Sequence, residues 1–211
     1  MKLDNIPDAS KRQLTLNNVR VNWVSVFEPR VPQASDSGRA RYEIVAILDP
    51  KEHKTEIKKV KKILKQLAEE VLETELSDIE RSKCPLKQPR KKDIEKQPAY
   101  EGKLTLPAYS PAEKPVQVVD RKMNLLTKGS PIPYSGCFCN VAVEFYVSKN
   151  QSDAIYCALN AVQFVDDGES LGGSAAPKAD QLFKKLDDED DDFDDEDEDE
   201  DEDEDDLDDD E

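Results

Sequence analysis

The 211-residue chain carries a formal net charge of -18, but 23 of its acids fall in residues 187–211, where there is no Lys or Arg, leaving 25 acids against all 30 basic residues in 1–186. A body of about +5 therefore precedes a tail of -23 whose only apolar residues are Phe193 and Leu207, too few to offset the ordering entropy, so the tail is expected to stay disordered. No apolar h-region opens the chain and no run approaches the ~20 apolar residues of a membrane span, which excludes a membrane partner and predicts a soluble, intracellular protein.

Residues 1–13 are expected to be flexible. Residues 14–27 read as a strand with Val19, Val21, Trp23, Ser25 and Phe27 on one side, and Trp23 is assigned to the core with its apolar neighbours. Residues 28–38 have the Pro, Ser and Gly content of a loop. Residues 39–48 form a second strand that becomes apolar on both faces. The one convincing helix covers about 55–76, where Ile57, Val60, Leu64, Leu67, Ala68 and Val71 recur at three- and four-residue spacing. Its polar side runs from lysines (Lys58, Lys59, Lys61, Lys62, Lys65) to glutamates (Glu69, Glu70, Glu73, Glu75), against the helix dipole, at a cost of tenths of a kcal/mol per exposed charge that packing can override.

Residues 81–100 read as a basic, proline-punctuated loop. Short extended runs follow at 103–109 and 115–120. The strongest strand is 137–147, with Cys137, Cys139, Val141, Val143, Phe145 and Val147 facing one way and Phe138, Asn140, Ala142, Glu144 and Tyr146 the other. A last strand covers 154–165. Strands with one inserted helix predict a mainly β fold, an OB-like β-barrel with one long inserted α-helix, spanning residues 14–168. A linker (169–186) and the acidic tail (187–211) complete the plan.

The inventory for catalysis is thin, so no enzymatic activity and no cofactor are expected. The single histidine, His53, sits among Lys and Glu and reads as exposed and incidental. No nucleophile elbow, Walker A or Rossmann glycine pattern occurs. Cys137 and Cys139 share a strand side, but zinc sites use C-x₂₋₄-C pairs with a second ligand pair, so no metal is expected. With Cys84 and Cys157, they read as thiols of a reducing compartment rather than disulfides.

What remains is polyanion binding. Holding a single nucleic-acid strand without sequence preference takes cations along the phosphates and aromatic faces under the bases. Arg39 and Arg41 with Tyr42, the loop cations Lys87, Arg90, Lys91 and Lys92, then Tyr100, Lys103 and Tyr109, and Phe138 and Tyr146 on the strong strand supply both. Tyr42 also shares a side with Ile44, Ala46 and Leu48, which suits a core position equally. An acidic-tailed histone chaperone is the alternative from another class, but it leaves the net positive body and its Arg-Tyr and Arg-Lys-Lys clusters unexplained.

Residues 134–173 carry a more specific signal: a Tyr-Ser-Gly-Cys start, a Lys-Asn-Gln turn, the strand Cys-Ala-Leu-Asn-Ala-Val-Gln, and an Asp-Gly-Glu-Ser-Leu-Gly-Gly exit. This stretch closely resembles the single-stranded-DNA-binding proteins of tailed bacteriophages, and the strand-helix-loop order from Val19 to Tyr100 resembles them more loosely. The resemblance implies an OB barrel, single-stranded DNA as partner, a role in phage DNA replication, recombination or repair within the cytoplasm of the infected host, and a tail that docks phage or host partner proteins. The best-known relatives close the tail with an aromatic residue. Here the end is Leu207-Asp-Asp-Asp-Glu211, so docking would rest on Phe193, Leu207, Asp210 and Glu211 or on charge alone. A tethered acidic tail is also expected to compete with DNA for the cationic body. The sequence leaves room for a homodimer.

Overall fold

Alternating apolar residues carry the first strand past two different neighbours. In a computed structural model that describes residues 6–31, 38–148 and 151–172, β1 (Gln13–Arg30) pairs antiparallel with β5 (Phe138–Ser148) through its first half and with β2 (Arg41–Leu48) through its second. The register slips between Leu16 and Val19 and again between Asn22 and Ser25, and the slips contain Asn18 and Trp23, both with φ of 49°. Extra residues at such bulges bend a strand sharply, which lets one long strand serve two sides of a barrel.

β2 pairs antiparallel with β3 (Leu104–Pro111), and β5 with β6 (Gln151–Asp166). The barrel closes where β3 meets β6 in parallel at Tyr109 and Ala158. The resulting ring, β1-β2-β3-β6-β5, is the five-stranded OB-type closure, and β4 (Gln117–Val119) pairs in parallel with β6 further along the strand, at Ala161 to Gln163. The helix α2 (Lys54–Leu67) lies between β2 and β3 and continues as one wider turn over Ala68–Leu72. Ile57, Val60, Leu64, Leu67, Ala68 and Val71 all face the core, as their spacing predicts, where they join Leu16, Val141 and Phe145. The helix stops short of residue 76 because Glu73 turns left-handed at φ 57° and its N–H reaches back to the Ala68 carbonyl.

Three local expectations change. His53 is buried, not incidental: its Nδ1 accepts from the Asp49 N–H at 3.0 Å and its Nε2 faces the Asn18 carbonyl at 3.3 Å, tying the start of α2 to the first bulge of β1. Flanking charges disguised it, and the turn closed by His53 N–H on Asp49 O points the ring inward. Residues before β1 are held from Ala9 onward: α1 (Ala9–Arg12) ends in Arg12, which pairs with Glu144 at 2.8 Å and donates to the Phe145 carbonyl. The stretch 81–100 is a folded strap containing α3 (Lys91–Lys96) and a bridge from Lys87 to Thr105 on β3.

The residues that carry the phage resemblance form a clasp. A Cβ on Gly136 (φ +115°) would lie 2.0 Å from the Glu169 carbonyl oxygen, and one on Gly168 would lie 2.2 Å from the Gly136 oxygen. The Tyr134 hydroxyl accepts from the Gly168 N–H at 3.0 Å and faces the Gly168 carbonyl at 2.9 Å, while Leu171 N–H donates to Ser135. The motif's glycines are therefore needed for two backbones to touch. The chain divides into units of residues 1–175 and 176–211, and every described residue belongs to the first. The tail residues Phe193, Leu207, Asp210 and Glu211 lie outside the described residues.

Candidate functional site

A cleft of about 580 Å³ opens on the outer face of β1, β2 and β3, under the strap. Val45 and Pro107 form its floor, Trp23 stands at its lip, and Arg81, Lys87 and Arg90 come from the strap. In OB folds the face of the second and third strands, between the loops at its two ends, is where oligonucleotides lie. Trp23 is 68% exposed, which overturns its assignment to the core. The bulge between Asn22 and Ser25 breaks the alternation that Val19 and Val21 establish, and the positive φ turns the indole outward.

From this cleft the outer face continues past Pro107 to Tyr109, about 7 Å further along β3. There the Arg41 guanidinium stacks 3.8 Å from the Tyr109 ring while also binding Glu43 at 3.1 Å. Tyr109 is registered with Ala158 of β6. Tyr156, two residues away on the same side, stacks on Tyr146 with ring centroids 5.5 Å apart and planes at 27°. Trp23, Tyr109, Tyr156 and Tyr146 thus mark one aromatic path over β1, β2, β3, β6 and β5. Burial pushes the Tyr109 hydroxyl up to about 12 against the pull of Arg41, and burial also raises Tyr146. These rings stay neutral phenols at neutral pH and do not repel phosphate.

Charge in the cleft is closely balanced. Arg81, Lys87 and Arg90 face Glu43, Glu80 and Asp93, and Arg90 holds Asp93 at 3.0 Å, keeping that carboxyl below its ordinary range. Further cations stand outside the cleft, at exposed Lys91 and Lys92 on the first turn of α3 and at exposed Arg39 before β2. A polyanion would therefore gain much of its binding from stacking, with cations arranged along the rim.

Some residues singled out from the sequence lie elsewhere. Tyr42 is 7% exposed and points inward with Ile44, Ala46 and Leu48, so it belongs to the interior. Tyr100 lines the cleft but is itself buried, with its hydroxyl accepting from Asn22 Nδ2 at 2.9 Å. It supports the wall and offers no open face. Lys103 is paired with Asp49 and lines a second cleft of about 320 Å³ with Lys54 and Lys61, on the other side of the strap. Phe138 sits at the far end of β5 against the Gly168 clasp, eight residues or about 26 Å from Tyr146.

Two site residues were not singled out from sequence, Trp23 and Tyr156. Nothing in the sequence locates the bulge at Trp23, and Tyr156 faces Tyr146 only because the hairpin register slips beyond Val147. Among the described residues no group of three His, Cys, Asp or Glu is placed to hold a metal, and the Cys137 and Cys139 sulfurs, 3.6 Å apart, are buried together. No described helix is long and apolar enough to cross a membrane.

Comparison with known proteins gives consistent matches. Residues 12–201 match the family described as Enterobacter phage Enc34, ssDNA-binding protein. Putative protein p50 of Acyrthosiphon pisum secondary endosymbiont phage 1 is 31% identical over 174 residues, covering 81% of this chain and 92% of that protein. Among solved structures, the single-stranded-DNA-binding protein of bacteriophage Enc34 in complex with single-stranded DNA superposes with a TM-score of 0.63 at 19% identity, over 76% of this chain and 90% of that one. The gp2.5 single-stranded-DNA-binding protein of bacteriophage T7 gives 0.53 at 13% identity, over 79% and 98%. At these identities the structural likeness establishes the fold.

Proposed function

The chain belongs to the family of the Enterobacter phage Enc34 single-stranded-DNA-binding protein, a family of binding proteins and not of enzymes, and we propose that it holds a single strand along the path from Trp23 to Tyr146 without reading its sequence. The observation that carries this placement is Trp23, a large aromatic ring held 68% exposed beside the strap cations. Bases stack on Trp23 and on the Tyr109, Tyr156 and Tyr146 edge, each stack worth ~1–3 kcal/mol and tolerant of base identity. Lys87, Arg90, Lys91, Lys92, Arg39 and Arg41 line the phosphates. The protein serves phage DNA replication, recombination or repair in the cytoplasm of the infected cell.

The acidic segment 187–211 supplies regulation. Tethered to a cationic body, it competes with DNA at high local concentration, and a bound strand releases it to basic partner proteins. Fluorescence anisotropy with oligo-dT and a matched duplex, using the full chain and a 1–186 truncation across a salt series, tests both parts. Expected are preference for the single strand and tighter binding on truncation, most marked at low salt. Failure of both proteins to bind oligo-dT rejects the function; equal affinities at low salt reject the competition alone.

A further inference from the structure

Trp23 projects outward in a backbone conformation that bulky L residues avoid, φ 49°. Something must hold it there, and the neighbouring contacts identify what does. Asn22 is buried within a run of apolar strand residues, an unfavourable place for an amide unless it is fully bonded. Its Oδ1 accepts from the Trp23 backbone N–H at 2.8 Å, which fixes the amide orientation, and its Nδ2 donates to the Tyr100 hydroxyl at 2.9 Å.

Tyr100 is buried too, and it belongs to the strap, not the barrel. The strap is moored on both sides of the cleft: Lys87 pairs with Thr105 on β3, and Gln97, whose carbonyl accepts from the Tyr100 N–H, donates from its side chain to the Leu171 carbonyl. One amide therefore joins the bulge that carries the exposed ring to the strap that carries the cations, and Gln97 separately ties that strap to the clasp.

Resting on the binding path described above, we propose that Asn22 is a positioning residue for single-stranded DNA: by bonding the Trp23 N–H and the Tyr100 hydroxyl together, it sets the indole in register with the strap cations before DNA arrives. A site organised in advance avoids ordering costs on binding, so loss of Asn22 weakens DNA binding through Trp23 and through nothing else. A side-chain amide that merely filled the bulge would affect stability and leave this dependence out.

The test is a double-mutant cycle in the full-length protein, with oligo-dT affinity as the readout and urea melts alongside. Trp23→Ala is expected to lose about fivefold to 150-fold in affinity, the range of one stacked base. Asn22→Ala is expected to lose about threefold or more in the natural background and nothing measurable in the Trp23→Ala background. Tyr100→Phe, which keeps the ring and removes the hydroxyl that meets both the Asn22 amide and the Trp23 side chain, tests the strap end of the link should Asn22→Ala fold poorly, and its loss also vanishes without Trp23. In unbound Asn22→Ala and Tyr100→Phe the emission of Trp23, the sole tryptophan, shifts and depolarises as the ring loosens. Equal losses in both backgrounds, or no loss from Asn22→Ala and Tyr100→Phe while Trp23→Ala weakens binding, overturn the positioning role and leave the binding path intact. No loss from Trp23→Ala overturns the path itself.

Discussion

Replacing Trp23 by alanine separates two opposite accounts of one residue. A tryptophan packed in a core costs about 3–5 kcal/mol when truncated to alanine. Trp23 is 68% exposed, so only about a third of an aromatic surface of at most ~250 Å² is removed from water, roughly 80 Å², worth about 2 kcal/mol at ~25 cal/mol per Å². Alanine keeps the left-handed backbone, so no strain is relieved to offset that loss. The expected stability change is therefore 2 kcal/mol or less, while the affinity for oligo-dT falls by ~1–3 kcal/mol for one lost stack. Urea melts give the first quantity and anisotropy titrations the second. Because the chain has one tryptophan, quenching of its emission on adding oligo-dT reports contact directly in the unmodified protein. A stability loss above about 3 kcal/mol with unchanged affinity, or an emission indifferent to DNA, would refute the exposed-stacking assignment.

Tyr156→Ala should weaken oligo-dT binding by roughly 1–3 kcal/mol and lower the benefit of Tyr146, since each ring is held by the other at 5.5 Å; an unchanged affinity removes the β5–β6 edge from the path. Burial raises the Tyr109 hydroxyl from 10 to about 12, so its contribution is whole below pH 10 and is lost as pH rises through about 12. That two-unit difference is worth at most ~2.7 kcal/mol, and Tyr109→Phe should flatten this alkaline decline in urea melts between pH 9 and 12; parallel declines in both proteins would count against it. Gly136→Ala places a methyl 2.0 Å from the Glu169 oxygen at φ +115°, so it should destabilise by several kcal/mol, as strain and overpacking combine, and a melting temperature within a degree or two of the parent would show that the clasp is dispensable.

The barrel was legible because its signals are periodic. Strand 137–147 alternates cleanly and every inward residue predicted for it is buried; the helix stripe from Ile57 to Val71 faces the core for the same reason. The phage likeness was legible for another reason, since Gly136 and Gly168 permit a backbone contact that no other residue allows, leaving a local signature in the chain. The binding face was only partly legible. Tyr42, chosen beside the cations Arg39 and Arg41, turned inward because a strand's sides are set by its partners and not by its charged neighbours.

The two residues missed share a physical cause. Trp23 lies inside the register slip between Asn22 and Ser25, and the Tyr146–Tyr156 pair lies one residue from the slip between Val147 and Ser148. A bulge shifts every later side chain by one face relative to the partner strand, so alternation counted through it assigns the wrong side. An open aromatic on a barrel strand also has no apolar partner to hold it, and the irregular backbone of a bulge supplies what packing does not: at Trp23 a left-handed residue and a buried amide, at Tyr146 a realigned ring from the opposite strand. The stacking surface therefore falls where the periodic signal breaks, and the residues that build the barrel are the ones least able to reveal where it binds.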